Sequence, residues 1–136
     1  MPRALEGKTV LITGAAGGIG RATAAVCGEQ GASLVLADRQ APRELAEQLG
    51  ASGVPARAIA FDVADRAAAE AAVAGIDRLD ALVANAGYCP WDDWNEAGWD
   101  EVFHRVIDVN LLGLMHLTRA ALPAHLRQGG ARQVHE

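Results

Sequence analysis

Four short apolar runs, each followed by a stretch of helical character, recur along the 136-residue chain. The runs are "KTVLIT" (8–13), "SLVLA" (33–37), "ARAIAF" (56–61) and "DALVAN" (80–85). Helical patterns lie between them at 18–30, 41–50 and 65–75, and a longer one covers roughly 98–127. In the second, Pro42 sits in the first turn and Gly50 reads as the C-terminal stop. This alternation admits βαβ units around a parallel sheet with helices on both faces, and little else. VLIT and LVLA are apolar throughout rather than alternating, as strands covered on both sides are.

The length suits a single domain and suffices to bury a core. With 51% apolar and 21% charged residues, the composition is that of a folded globular chain. A net charge of −5 leaves no basic footprint for nucleic acid. Two cysteines make no disulfide framework. Cys27 falls in a helical pattern and reads as a small core residue, while Cys89 falls in a loop with no assigned role. The N-terminal "MPRALEGKTV" has no apolar signal core, and no apolar stretch reaches membrane-spanning length. A cytoplasmic setting is expected.

"TVLITGAAGGIG" (9–20) carries the first chemical signal. Glycines lose backbone entropy on folding, so a run of them calls for a reason. A dinucleotide site supplies one. It needs a tight turn after the first strand, bare backbone against the pyrophosphate, and a helix N-terminus whose free N–H groups meet the phosphates. The general G-x-G-x-x-G fingerprint is absent; the pattern from Thr13 is T-G-x-x-x-G-x-G, through Gly14, Gly18, Ile19 and Gly20. Asp38 closes the second run eighteen residues after Gly20, near the ~20 expected of a ribose-binding carboxylate. An aspartate there also simply begins a turn. Joined to the glycine loop, it favours NAD over NADP, because a carboxylate repels a 2′-phosphate. Arg39 beside it softens that preference.

These residues, with three further motifs, make the chain resemble the short-chain dehydrogenase/reductase family over 6 to about 130. Asp62-Val63 after the third run resembles the family's adenine-contacting pair. Asn85-Ala86-Gly87 after the fourth is similar to its N-A-G motif, which stabilises the central sheet and borders the cofactor. Asn110, in "VIDVNLLG", matches the asparagine of its catalytic tetrad. The resemblance implies a Rossmann-like doubly wound sheet, here of about four strands in order 3-2-1-4, within one NAD-binding domain spanning 1–136. It also implies hydride transfer between NAD(H) and an alcohol or carbonyl. Asn110 can be reached from the residues as well: it lies on the stripe Trp99, Val102, Phe103, Val106, Gly113, Leu114, Leu117 and Ala121. A buried amide there must find partners, either by bracing backbone locally or in the family's catalytic role.

The family's remaining tetrad members are a serine and a Tyr-x-x-x-Lys pair, where lysine and cofactor lower the tyrosine's pKa from about 10. The single tyrosine here is Tyr88, the single lysine Lys8, and the two serines, Ser33 and Ser52, precede the third run. None fits those places. "LRQGGARQVHE" approaches a fifth strand with Gly129-Gly130 and then turns polar, with Val134 its lone apolar residue. The chain therefore reads as the cofactor-binding half of such an enzyme: truncated, out of frame at its end, or a stand-alone unit with little or no turnover. An unpaired fourth-strand edge and the long helix predict a homo-oligomer. Two alternatives are a non-catalytic nucleotide-binding or interaction module and, less well supported, a methyltransferase using S-adenosylmethionine. The four histidines show no ligand spacing, so no metal is expected. Trp91, Trp94 and Trp99 are expected to pack the 87–98 loop onto the helix.

Overall fold

Thr9–Thr13 forms β1, the spine of a four-stranded parallel sheet. Ser33–Asp38 (β2) and Ala81–Val83 (β4) flank it, and Ala56–Ala60 (β3) lies outside β2, so the order is 3-2-1-4 as expected. Thr9 stands opposite Ser33 and Thr13 opposite Ala37, while Val10, Leu11 and Ile12 face Ala81, Leu82 and Val83. The computed structural model describes residues 3–90 and 95–128, with side chains as far as residue 123. Trp91, Trp94, Gly129-Gly130, Val134 and His135 therefore lie outside the described residues, as does the side chain of His125.

The all-apolar strands bury both of their faces. Val10, Ile12, Leu34 and Leu36 pack with Ala24 of α1 (Gly18–Glu29) and Leu45 of α2 (Arg43–Ala51). Leu11 and Val35 point to the other side. There they meet Ala69 and Val73 of α3 (Arg66–Ala74) and Leu117 and Ala121 of α5 (Leu114–Gln128). The two periodicities thus agree: period two sorts the strand residues to opposite faces, and helices cover each. Cys27 is half-buried at the margin of the first cluster rather than central to it, and burial raises its thiol pKa; Cys89 is exposed.

Helix ends follow local chemistry. Asp65 caps α3, its carboxylate accepting from the Ala68 N–H at 3.0 Å. Gly50 is not the stop of α2. The helix runs to Ala51, the Ser52 hydroxyl donates to the Gln48 carbonyl, and Gly53 takes the left-handed turn at φ +82°. Pro42 stands just before the first turn, as its cap residue. The fourth strand is also shorter than 80–85, with only three residues paired.

The long helix is interrupted. α4 (Trp99–Ile107) begins at Gly98 in the left-handed conformation, with Asp100 and Glu101 in its first turn and His104 and Arg105 in its last, complementing the dipole. A π-helical turn, Asp108–Gly113, joins it to α5. The wider turn resets the buried stripe: Val109, Gly113, Leu117 and Ala121 face the core, and Asn110, expected to be buried, is exposed. Phe103 and Leu114 of the expected stripe are exposed too, whereas Trp99 stacks on Phe103 with ring centroids 5.2 Å apart.

Candidate functional site

The C-terminal ends of the four strands open into a cleft of about 360 Å³. In an open parallel sheet, that edge is where ligands bind, between strands whose connections leave in opposite directions. Here the point of divergence is β1, with β2 on one side and β4 on the other.

The glycine loop forms one wall, and its glycines divide into two kinds. Gly14 has φ +65°, and a Cβ there would come within 2.9 Å of the Ala86 Cα. At Gly20 a Cβ would run into the Gly14 carbonyl oxygen and lie 2.7 Å from the Ala15 Cα. Packing dictates both. Gly18 is different: nothing lies within 4 Å of the Cβ position, and its φ is not left-handed. Neither packing nor conformation demands a glycine there, yet it opens α1 and lines the cleft beside Gly17, Ile19 and Gly20. No side chain caps this helix, so its first-turn amides keep the donor capacity that an anion would use. Ile19 is 74% exposed at the same wall.

Thr13 and Asn85 tie the loop to the far side of the cleft. Thr13 is buried at the end of β1, and its hydroxyl accepts from the Asn85 and Ala86 N–H groups, each at 3.1 Å. The Asn85 amide donates to the carbonyls of Thr13 and Gly14 at 3.1 and 3.3 Å. Asn85, Ala86 and Gly87 all line the cleft. The next residue is clamped from the helix. The Tyr88 N–H donates to Asn110 Oδ1 at 2.7 Å, and Asn110 Nδ2 donates to the Tyr88 carbonyl at 2.9 Å. Asn110 itself is not among the lining residues; it braces the rim.

Asp38 ends β2 at the other extremity of the cleft. Its Oδ2 accepts from the Ala16 N–H at 3.1 Å and its Oδ1 from the Arg39 N–H at 2.8 Å. The carboxylate thus holds the glycine loop while keeping acceptor capacity on each oxygen. Asp62 and Val63 follow β3. Asp62 Oδ1 accepts from the Ala64 N–H at 2.9 Å, and its Oδ2 meets Arg105 Nη2 at 2.6 Å. Burial pushes the Asp62 carboxyl up, but the Ala64 amide, Arg105 and the charge of Arg39 outweigh it and hold the group below its ordinary pKa.

All twelve residues expected around a cofactor, from Thr13 to Gly87, therefore converge on one cleft. Gly17, Ala37, Phe61, Tyr88, Arg105 and Val109 also line it and were not among the residues expected to bind a cofactor. Arg105 had no local signal, since its partner lies 43 residues away.

A family model described as short chain dehydrogenase matches residues 8–134. The chain is 40% identical to the oxidoreductase UcpA of Salmonella typhimurium, over 96% of this chain and 51% of the relative. It is 39% identical to an L-rhamnose 1-dehydrogenase (NAD(P)(+)) of Sphingomonas, over 92% and 52%. Among solved structures it resembles a short-chain type dehydrogenase/reductase from Mycobacterium marinum, with a TM-score of 0.84 at 29% identity, covering 94% of this chain and 54% of that one. It also resembles a protein from Beutenbergia cavernae assigned as an NAD(P)-dependent gluconate 5-dehydrogenase and solved with NADP at low occupancy. That TM-score is 0.85 at 32% identity, covering 96% and 54%. The chain spans about half the length of the curated relatives it matches.

Proposed function

The chain belongs to the short-chain dehydrogenase family, and on that premise we propose that it binds NAD, in preference to NADP, through the cleft at the C-terminal edge of its sheet. The observation that carries this reading is Gly18, whose bareness serves neither packing nor backbone and leaves room for a ligand against α1. The residues fit a dinucleotide. Gly14, Gly17, Gly18, Ile19 and Gly20 would hold the pyrophosphate, Asp38 the adenosine ribose hydroxyls, and Asp62 and Val63 the adenine. Asn85, Ala86 and Gly87 would border the nicotinamide side. When bound, the cofactor would supply a hydride acceptor or donor for chemistry at an alcohol or carbonyl carbon. Asp38 sets the preference, since a negative charge at the ribose edge opposes a 2′-phosphate.

Turnover by this chain on its own is proposed to be nil or weak. Lys8 pairs with Asp80 at 3.6 Å, at the N-terminal edge of the sheet, and Tyr88 lies at the opposite edge. The two cannot act as an acid/base pair, and Asn110 braces backbone. The partner reading is a homo-oligomer. Leu111, Leu114, Met115 and Leu122 are exposed along the π-helical turn and α5, with Leu114 and Leu122 beside β4, a surface that a second copy would cover. No described helix is long and apolar enough to cross a membrane; a cytoplasmic setting is proposed. Calorimetric titration with NAD, NADP and S-adenosylmethionine tests the binding claim. NAD binding tighter than NADP supports it, while equal affinity, or tight S-adenosylmethionine binding without NAD, refutes it.

A further inference from the structure

Arg105 stands on the core-facing side of the long helix, in line with Val109 and Gly113 at four-residue steps. A leucine would serve packing at such a place. Its guanidinium instead reaches Asp62 at 2.6 Å, in a pair whose side chains are each 34% exposed, at the wall of the nucleotide cleft. The helix and the loop after β3 are already held together where Gly113 meets Val63, so closely that a Cβ would approach the Val63 carbonyl oxygen to 3.0 Å. The ion pair is thus redundant as a fastening. Replacing half-buried pairs of this kind with apolar residues commonly costs little stability. What the pair does fix is one carboxylate. With Oδ1 on the Ala64 N–H and Oδ2 on the guanidinium, Asp62 is held at both oxygens and still has acceptor lone pairs to offer the cleft.

We propose that Arg105 is a positioning residue for base recognition: it holds the Asp62 carboxylate in the one orientation that accepts from the exocyclic 6-amino group of a bound adenine nucleotide. The proposal rests on the nucleotide-binding reading of the cleft, with Asp62 at the adenine, and adds to it the part played by Arg105; its readout is the preference for adenine over hypoxanthine, which presents a carbonyl oxygen at that position. Arg39, whose charge also reaches Asp62, lines the same wall but does not hydrogen-bond to it, so the geometric role falls to Arg105.

The test is calorimetric titration of the wild type, Arg105→Met, Arg105→Gln, Arg105→Lys and Asp62→Asn with NAD and with nicotinamide hypoxanthine dinucleotide. Circular dichroism verifies the fold of each variant. The wild type is expected to favour NAD by about tenfold or more, the worth of one hydrogen bond to a charged group. Arg105→Met and Arg105→Gln should reduce the preference to about twofold, largely through weaker NAD binding. Arg105→Lys should restore part of it, and Asp62→Asn combined with Arg105→Met should lose no more than Asp62→Asn alone. Equal weakening of both dinucleotides in the Arg105 variants, or an unchanged preference, overturns the proposal; should Arg105→Met not fold, Arg105→Gln and Arg105→Lys decide it. A wild type that binds both dinucleotides equally also overturns it while leaving the nucleotide reading intact. A wild type that binds neither overturns that reading and this proposal together.

Discussion

Gly18 and Gly20 are two residues apart and answer to different forces, which substitution can separate. Gly20→Ala drives a methyl group into the Gly14 carbonyl and is expected to destabilise the fold by about 2–4 kcal/mol in thermal or urea unfolding. Gly18→Ala meets nothing and is expected to leave stability unchanged or improve it by up to about 1 kcal/mol, while weakening NAD binding. Normal NAD affinity in Gly18→Ala would remove the main support for the cradle. Thr13 gives a third expectation. Its hydroxyl accepts from two backbone amides at the end of β1, so Thr13→Ala should cost about 2–3 kcal/mol and Thr13→Ser much less. At this scale the sequence was informative wherever chemistry was local. The glycines and Asp38 could be placed by strand, turn and spacing, and Asp62 and Asn85 by motifs that resemble the family's. Arg105 could not, because nothing within a turn of it marks its pairing with Asp62.

The interrupted helix shows how far periodicity carries. A uniform 3.6-residue repeat puts Asn110 in line with Val106, Gly113 and Leu117, and so inside. The π-helical turn shifts that register and buries Val109 instead, leaving the amide at the rim where both halves of it engage Tyr88. No repeat-based reading contains that turn, which ends at Gly113 where the helix lies close against Val63, a contact between distant elements. By contrast, the parallel sheet and its two-faced cover were legible from apolar runs alternating with helices, and the strand order from the family resemblance. The exposed apolar residues on the same helix carry their own expectation. Met115→Glu or Leu111→Glu should move the chain from a larger species to a monomer in gel filtration while circular dichroism shows the fold retained. An elution position that the substitutions leave unchanged would argue against this face as the contact.

For the whole molecule, Asp62 and Asp80 are expected to contribute to the acid limit. Asp80, at the base of β4, accepts from the Thr9 N–H at 2.9 Å and pairs with Arg78 and Lys8. Burial raises its pKa, but Arg78, the Thr9 amide and Lys8 together hold it below its ordinary value, as Arg105 and its neighbours do for Asp62. A depressed carboxylate stabilises the fold above its unfolded pKa of about 3.9, and that contribution is lost as pH falls toward the folded value. The melting temperature is therefore expected to be flat above about pH 5 and to drop below it. Asp80→Asn should shallow that drop, and an unchanged acid limb would show that the base of β4 is not its source. One calorimetric comparison decides whether this half-length chain is a nucleotide-binding unit whose acid at β2 chooses the cofactor. NAD and NADP are titrated into the wild type and into Asp38→Ala. The expected result is saturable NAD binding tighter than NADP in the wild type, with the NAD-to-NADP affinity ratio falling by about tenfold in the variant. An unchanged ratio, or no NAD binding by the wild type, would contradict it.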